Sequence, residues 1–121
     1  MSAQGQYKSI ADQQLFSAIA DPTRRNIIEL LATNGQMAAT DIYDNFNVSH
    51  PAISQHLKVL READLVNLEK SAQKRIYGLN TDAMRQIEDW IKRTTKHWDQ
   101  RFDRLDKVLD AEKRRMSKKR R

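Results

Sequence analysis

Apolar residues return at helical spacing along most of this chain, broken by a few residues that start or stop helices. Leu15, Phe16 and Ile19 share one face of a first helix that begins near Asp12, whereas residues 1–10 show no period and are expected to fray. Asp21-Pro22 reads as a helix start, because a carboxylate caps free backbone N–H groups and proline at the first position gives up no needed bond. Ile27, Ile28, Leu30 and Leu31 form the buried face of that helix, and Asn34-Gly35 ends it. Thr40 is a cap for a short helix over 41–46, in which Ile42 and Phe46 share a face. After a turn at Asn47-Val48, Ser49 caps another helix running to about Ala63, with Pro51 tolerated in its first turn. Residues 65–69 and 75–79 then alternate as strands around a polar five-residue tip at 70–74, with Gly78 weakening the second strand slightly. Asn80-Thr81-Asp82 opens a last helix over about 82–110. On it Ile87, Ile91, Thr94, Trp98, Phe102, Leu105 and Leu109 follow spacings of 4, 3, 4, 4, 3 and 4, a heptad-like stripe.

That order predicts a mainly α fold with a β-hairpin: a helix, a tight turn and a second helix, followed by a hairpin, make a winged helix-turn-helix with a long C-terminal helix. The second helix of the motif divides its faces cleanly. Ile53, Leu57 and Leu60 lie at i, i+4 and i+7 and pack inward. His50, Ser54, Gln55 and His56 carry donors and acceptors of the length that reaches base edges in a major groove, while Lys58 and Arg61 suit phosphates. At the wing, Lys74 and Arg75 are candidates for phosphate or minor-groove contact. Each of these residues also has a plainer reading: His56 as a satisfied, half-buried histidine, Ser54 and Gln55 as solvated surface, His50 as a helix-start residue, the wing cations as loop charges. Arg24 and Arg25 sit at a helix start, where cations oppose the helix dipole, which hints at a partner, either an acid or a phosphate.

Charge sharpens the picture by its placement. The chain has 121 residues and a formal charge of +6, but residues 111–121 hold seven basic residues and one acid and so account for the whole excess. Residues 1–110 sum to zero, divided as −2 over 1–48, +2 over 49–81 and zero over 82–110. The high isoelectric point is thus a property of the tail, read as a disordered charge run, and the folded part over 1–110 carries only a small positive excess over the reading helix and wing.

Phe16 through Arg25, Ile27 through Leu31, the string Val48-Ser-His-Pro-Ala-Ile-Ser-Gln-His-Leu-Lys-Val-Leu60 and Ala63-Asp-Leu-Val66 resemble the winged-helix repressors of the ArsR/SmtB type over about residues 12–110. Asp89-Trp-Ile91 and His97-Trp-Asp99 are similar to a cysteine-free subgroup with a Trp-containing last helix. The resemblance implies a homodimer that binds a palindromic operator in double-stranded DNA and represses transcription. Its recognition helix would be about 50–62, its wing about 65–79, and its dimer interface would include Ile87, Trp90, Ile91, Trp98, Phe102, Leu105 and Leu109. Metal-sensing members carry Cys-x-Cys in the short helix, where this chain has Ala38 and Thr40, and the Asp-x-His…His-x-x-Glu pattern of another sensing class is missing from a last helix that holds only His97. The resemblance therefore leaves any inducer, as an unidentified small molecule, open.

The remaining arithmetic narrows the alternatives. With no cysteine, the chain has no thiolate metal site, Fe–S cluster or disulfide. It has no Gly-rich phosphate loop and no nucleophile–base constellation, so no catalytic residue, metal or cofactor is assigned and an enzyme is not expected. No apolar run approaches the roughly 18 residues of a membrane span, and the opening Met-Ser-Ala-Gln-Gly-Gln lacks the regions of a signal peptide, so a cytoplasmic protein without a membrane partner is expected. Two other readings stay open: a nonspecific architectural DNA-binding protein led by its basic tail, and a winged-helix module that docks another protein.

Overall fold

The computed structural model describes residues 10–119, which divide into two compact units meeting between Arg85 and Gln86. The first unit holds helices α1 (Ile10–Ile19) and α2 (Pro22–Asn34), strand β1 (Met37–Ala38), helices α3 (Ala39–Tyr43) and α4 (His50–Glu62), strands β2 (Val66–Ser71) and β3 (Lys74–Leu79), and the start of α5 (Thr81–Lys119). The three strands form an antiparallel sheet in the order β1-β3-β2. Tyr77 on the central strand faces Leu68 on one side and Met37 on the other. This is the expected winged helix-turn-helix.

Local chemistry sets most of the helix ends. The Asp21 carboxylate accepts the Arg24 backbone N–H at 3.0 Å and Pro22 follows it in the first turn of α2. Gly35 ends α2 at φ 76°, a conformation that costs glycine nothing, and its N–H donates to the Leu31 carbonyl at 2.8 Å. Ser49 Oγ accepts the Ala52 N–H at 3.3 Å at the start of α4. The end of α4 closes a Schellman motif: Leu65 N–H reaches back to the Leu60 carbonyl at 2.9 Å and Asp64 N–H to the Arg61 carbonyl at 3.0 Å. Asp64 stands at the left-handed position, φ 60°, where glycine is the usual residue.

The core of this unit is apolar and continuous with the sequence reading. Ile27, Leu31, Ile42, Ile53, Leu57, Leu60 and Leu65 are all buried, and no buried polar side chain lacks a hydrogen-bond partner among the described residues. Ile53, Leu57 and Leu60 seat α4, while Ser54, Gln55, Lys58 and Arg61 stay exposed.

Four local features differ from the sequence expectations. The short helix spans Ala39–Tyr43 rather than 41–46, and its cap is Ala38, which offers no side-chain bond, not Thr40. It starts early because β1, a strand of two residues invisible to periodicity, pairs with Ile76 and Tyr77 and delivers the chain straight into the helix. It stops early because Asn45 turns its side-chain amide back to the Asp41 carbonyl at 2.8 Å. At the wing, the ladder runs out to Ser71 opposite Lys74, so the tip is a two-residue turn at Ala72-Gln73, not a five-residue link, with Ala72 at φ 55°.

The second unit is the body of α5, and it is longer than expected. The helix continues through residues 111–119, where composition had suggested a disordered tail. Nothing in that stretch breaks a helix, Glu112 pairs with Arg115 one turn on, and Met116 prolongs the apolar stripe beyond Leu109. Ile87 is buried, while Trp90, Ile91, Trp98, Phe102, Leu105 and Leu109 are 44–56% exposed. Trp98 and Phe102 meet edge to face, with ring centroids 4.9 Å apart. No helix among the described residues is long and apolar enough to cross a membrane.

Candidate nucleic-acid interface

Helix α4 and the wing share one depression. Pro51, Ser54, Gln55, Lys58 and Arg61 line it from α4, and Arg75 and Tyr77 line it from β3. Three cations and no acid face this surface. Among the described residues the side chains of Gln55, Arg61 and Arg75 make no hydrogen bond or ion pair with the protein. Lys58 has only a 4.0 Å contact with Glu62, an exposed i,i+4 pair of little energetic worth. Polar side chains without a strong protein partner thus line the face that α4 does not use for packing. Lys74 lies outside the depression, exposed at the end of the wing ladder opposite Ser71.

His50 and Ser54 are also exposed, but neither is free. The His50 imidazole lies flat on the Tyr43 ring, with centroids 4.6 Å apart and planes 18° from parallel. Ser54 Oγ is 2.7 Å from the Tyr43 hydroxyl, a normal O–H···O distance. Tyr43, at the last turn of α3, therefore touches both polar residues on the first turns of α4. Sequence reasoning missed it: eleven positions separate it from Ser54, and no periodicity links the two helices.

His56 turns away from this group. Its Nδ1 is 3.3 Å from Arg24 Nη1 and 3.9 Å from Asp21 Oδ2, and its side chain is 24% exposed. A guanidinium only donates, so Nδ1 is the acceptor and the ring proton lies on Nε2. This is the satisfied, half-buried histidine of the plainer reading. Asp21 sits at the junction: the Arg24 backbone N–H holds its carboxyl below the usual aspartate range, burial works against that, and the Arg24 guanidinium charge adds to the lowering.

The paired arginines have found neither an acid nor a phosphate as their main partner. Arg24 Nε donates to the Ala18 carbonyl at 2.7 Å and Nη2 to Ser17 at 3.2 Å, while Arg25 Nη1 donates to Ile19 at 2.8 Å and Ala20 at 3.1 Å. Both cap the open carbonyls at the C-terminus of α1, the helix end that a cation stabilises. The cost at the start of α2 is offset at the end of α1.

The residues expected to replace a Cys-x-Cys pair offer no metal donors: Ala38 belongs to β1 and Thr40 is an exposed residue of α3. Among the described residues no three His, Asp or Glu side chains gather as metal ligands.

A winged helix-turn-helix whose second helix and wing present one basic, polar surface defines a class of DNA-binding regulators. The model of the bacterial regulatory proteins of the arsR family matches residues 21–67, from the Asp21 cap to the first residues of β2. The chain is 42% identical over 77 residues to the transcriptional repressor SdpR of Bacillus subtilis, covering 64% of this chain and 84% of that protein. It is 34% identical over 97 residues to the HTH-type transcriptional regulator Rv2034 of Mycobacterium tuberculosis, covering 80% and 87%. Its fold matches an ArsR-like transcriptional regulator from Rhodococcus sp. RHA1 with a TM-score of 0.70, over 79% of this chain and 90% of that one, at 24% identity. The chain belongs to the arsR family. Membership makes it a DNA-binding transcriptional regulator of repressor type, and not an enzyme.

Proposed function

We propose that the chain is a homodimeric, operator-specific repressor whose α4 reads a palindromic site in the major groove. The observation that carries this reading is the shared depression, where base-reading side chains (Ser54, Gln55) stand beside phosphate-binding ones (Lys58, Arg61 and the wing's Arg75) with no acid among them. His50 and Lys74 extend the contact at either end of that surface. His56 contributes as a positioning residue, through Arg24 and the start of α2, and not by touching a base.

The homodimer is supported by α5. Its apolar side chains from Ile91 to Met116 fall on one face, and each of the large ones is about half exposed in the single chain. A second copy of the same face supplies what covers such a stripe with least new chemistry. Two copies also double a modest local charge over two half-sites about one helical turn apart, ~34 Å. An inducer, if the protein has one, works through a difference in affinity between dimer geometries. The absence of cysteine removes the thiolate chemistry by which a metal would be sensed in α3.

Selection of bound duplexes from a random-sequence pool by the full chain tests the reading. The expected result is one palindromic motif, with Gln55→Ala relaxing its preference and Arg75→Ala weakening binding to all duplexes alike. Recovery of no common motif, at low or physiological salt, overturns it. Deleting residues 111–121 is expected to lower affinity without redirecting it, because phosphate contacts position but do not specify.

A further inference from the structure

The contact between Tyr43 and Ser54 has no evident role in holding the fold. Both groups are solvent-accessible, and an exposed hydroxyl pair adds little to stability, because water would satisfy either group as well. Yet two side chains are fixed by it on the face that α4 leaves open, and the Tyr43 ring also sets the plane of His50. Ordering side chains before binding is useful where a partner must be met in one geometry, because the entropy is lost before the encounter.

The chemistry of the pair says more. Ser54 by itself is a free rotor that can donate to or accept from a base edge, and so distinguishes bases poorly. Two hydroxyls joined at 2.7 Å have two hydrogens, of which one is consumed between them. The phenol is the more acidic donor and, with its oxygen lone pair drawn into the ring, the weaker acceptor. Tyr43 therefore donates to Ser54 Oγ, and the Ser54 hydrogen is left to point outward. We propose that Tyr43 is a specificity-determining positioning residue: by filling one of the two Ser54 lone pairs and freeing its hydrogen, it favours Ser54 as a donor, so that a base presenting an acceptor (purine N7, guanine O6 or thymine O4) is preferred to the amino group of cytosine. This rests on the proposed operator-specific reading by α4.

The test uses the full chain and the operator that the wild-type protein selects. Wild type, Tyr43→Phe, Ser54→Ala and the double variant are titrated against that operator, its single-base variants and a scrambled duplex. Tyr43→Phe keeps the ring, and with it the His50 stack, and removes only the hydroxyl. It is expected to lose about threefold to tenfold in preference at one position of each half-site, the position Ser54→Ala relaxes, and to admit cytosine there. Binding to scrambled DNA and the melting temperature stay as in the wild type, and the double variant loses no more than the larger single loss. The inference is overturned if Tyr43→Phe keeps the full preference at the position that Ser54→Ala relaxes, if the two losses add, or if Tyr43→Phe weakens all duplexes equally. A wild-type protein that selects no operator is a different outcome: it removes the operator reading itself, and this inference with it.

Discussion

His56 offers the sharpest separation between reading a base and holding the reader in place. The Arg24–His56 contact is the one side-chain hydrogen bond between α2 and α4 among the described residues, and its donor is a cation. Bonds to charged groups contribute about 1.5–3 kcal/mol. At 3.3 Å, with a quarter of the imidazole open to water, this bond falls below that range, so His56→Ala should cost about 1–2 kcal/mol once the lost packing of the half-buried ring is included. In a domain of this size 1 kcal/mol lowers the melting temperature by roughly 4–8 °C. Two assays on one preparation decide the matter: thermal unfolding followed by circular dichroism, and binding titrations on the operator and its single-base variants. The expected result is a melting temperature lower by about 4–16 °C, with a loss of affinity spread evenly over all duplexes. An unchanged melting temperature, with preference lost at a single base pair, would refute the positioning role and restore His56 as a base-contacting residue.

Further outcomes follow from the same contacts. Asp21→Ala should cost about 1 kcal/mol through the lost N-cap of α2, while Asp21→Asn, which keeps an acceptor, costs less. Because the folded pKa of Asp21 lies below 3.8, its contribution is fully present above that pH and fades as pH falls through the lower folded value; acid titrations of stability should show a flatter limb below pH 3.8 in either variant. Asp64→Gly should raise stability by up to about 1 kcal/mol, read as a higher urea midpoint, since φ 60° strains any residue with a Cβ. Trp98→Ala together with Phe102→Ala should move the protein from dimer towards monomer in sedimentation velocity and lower operator affinity; an unchanged dimer would place the self-association elsewhere.

The parts of this fold that are legible in the sequence are those fixed by local chemistry. Asp21-Pro22 and Gly35 bracket α2, Ser49 caps α4, and the i, i+4, i+7 spacing of Ile53, Leu57 and Leu60 fixes which face of α4 is buried. What escaped is set by partners and backbone conformations that no local period reveals. β1 exists only through its pairing with Ile76 and Tyr77. The tight wing turn is made without glycine, with Ala72 taking the strained conformation. Arg24 and Arg25 are explained by the carbonyls of the preceding helix, and His56 by an arginine thirty-two positions away. The end of α5 was hidden for another reason: a run of Lys and Arg has the composition of a tail, although Glu112, Arg115 and Met116 stand at helical spacing within it.

At the candidate interface the same division holds. The residues of the shared depression, Ser54, Gln55, Lys58, Arg61 and Arg75, are legible because a winged helix leaves one face of its second helix and one edge of its wing open. Which of the polar residues near them are free was not legible, since that is decided by side chains on other helices, Tyr43 on α3 and Arg24 on α2.

The central claim, that this face reads sequence and does not merely bind charge, is tested most directly by the ratio of two affinities at physiological salt: the full chain for its selected operator and for a scrambled duplex of equal length and composition. The expected ratio is about a thousand or more, retained when residues 111–121 are removed. A ratio near one, or one that vanishes with those residues, would contradict it.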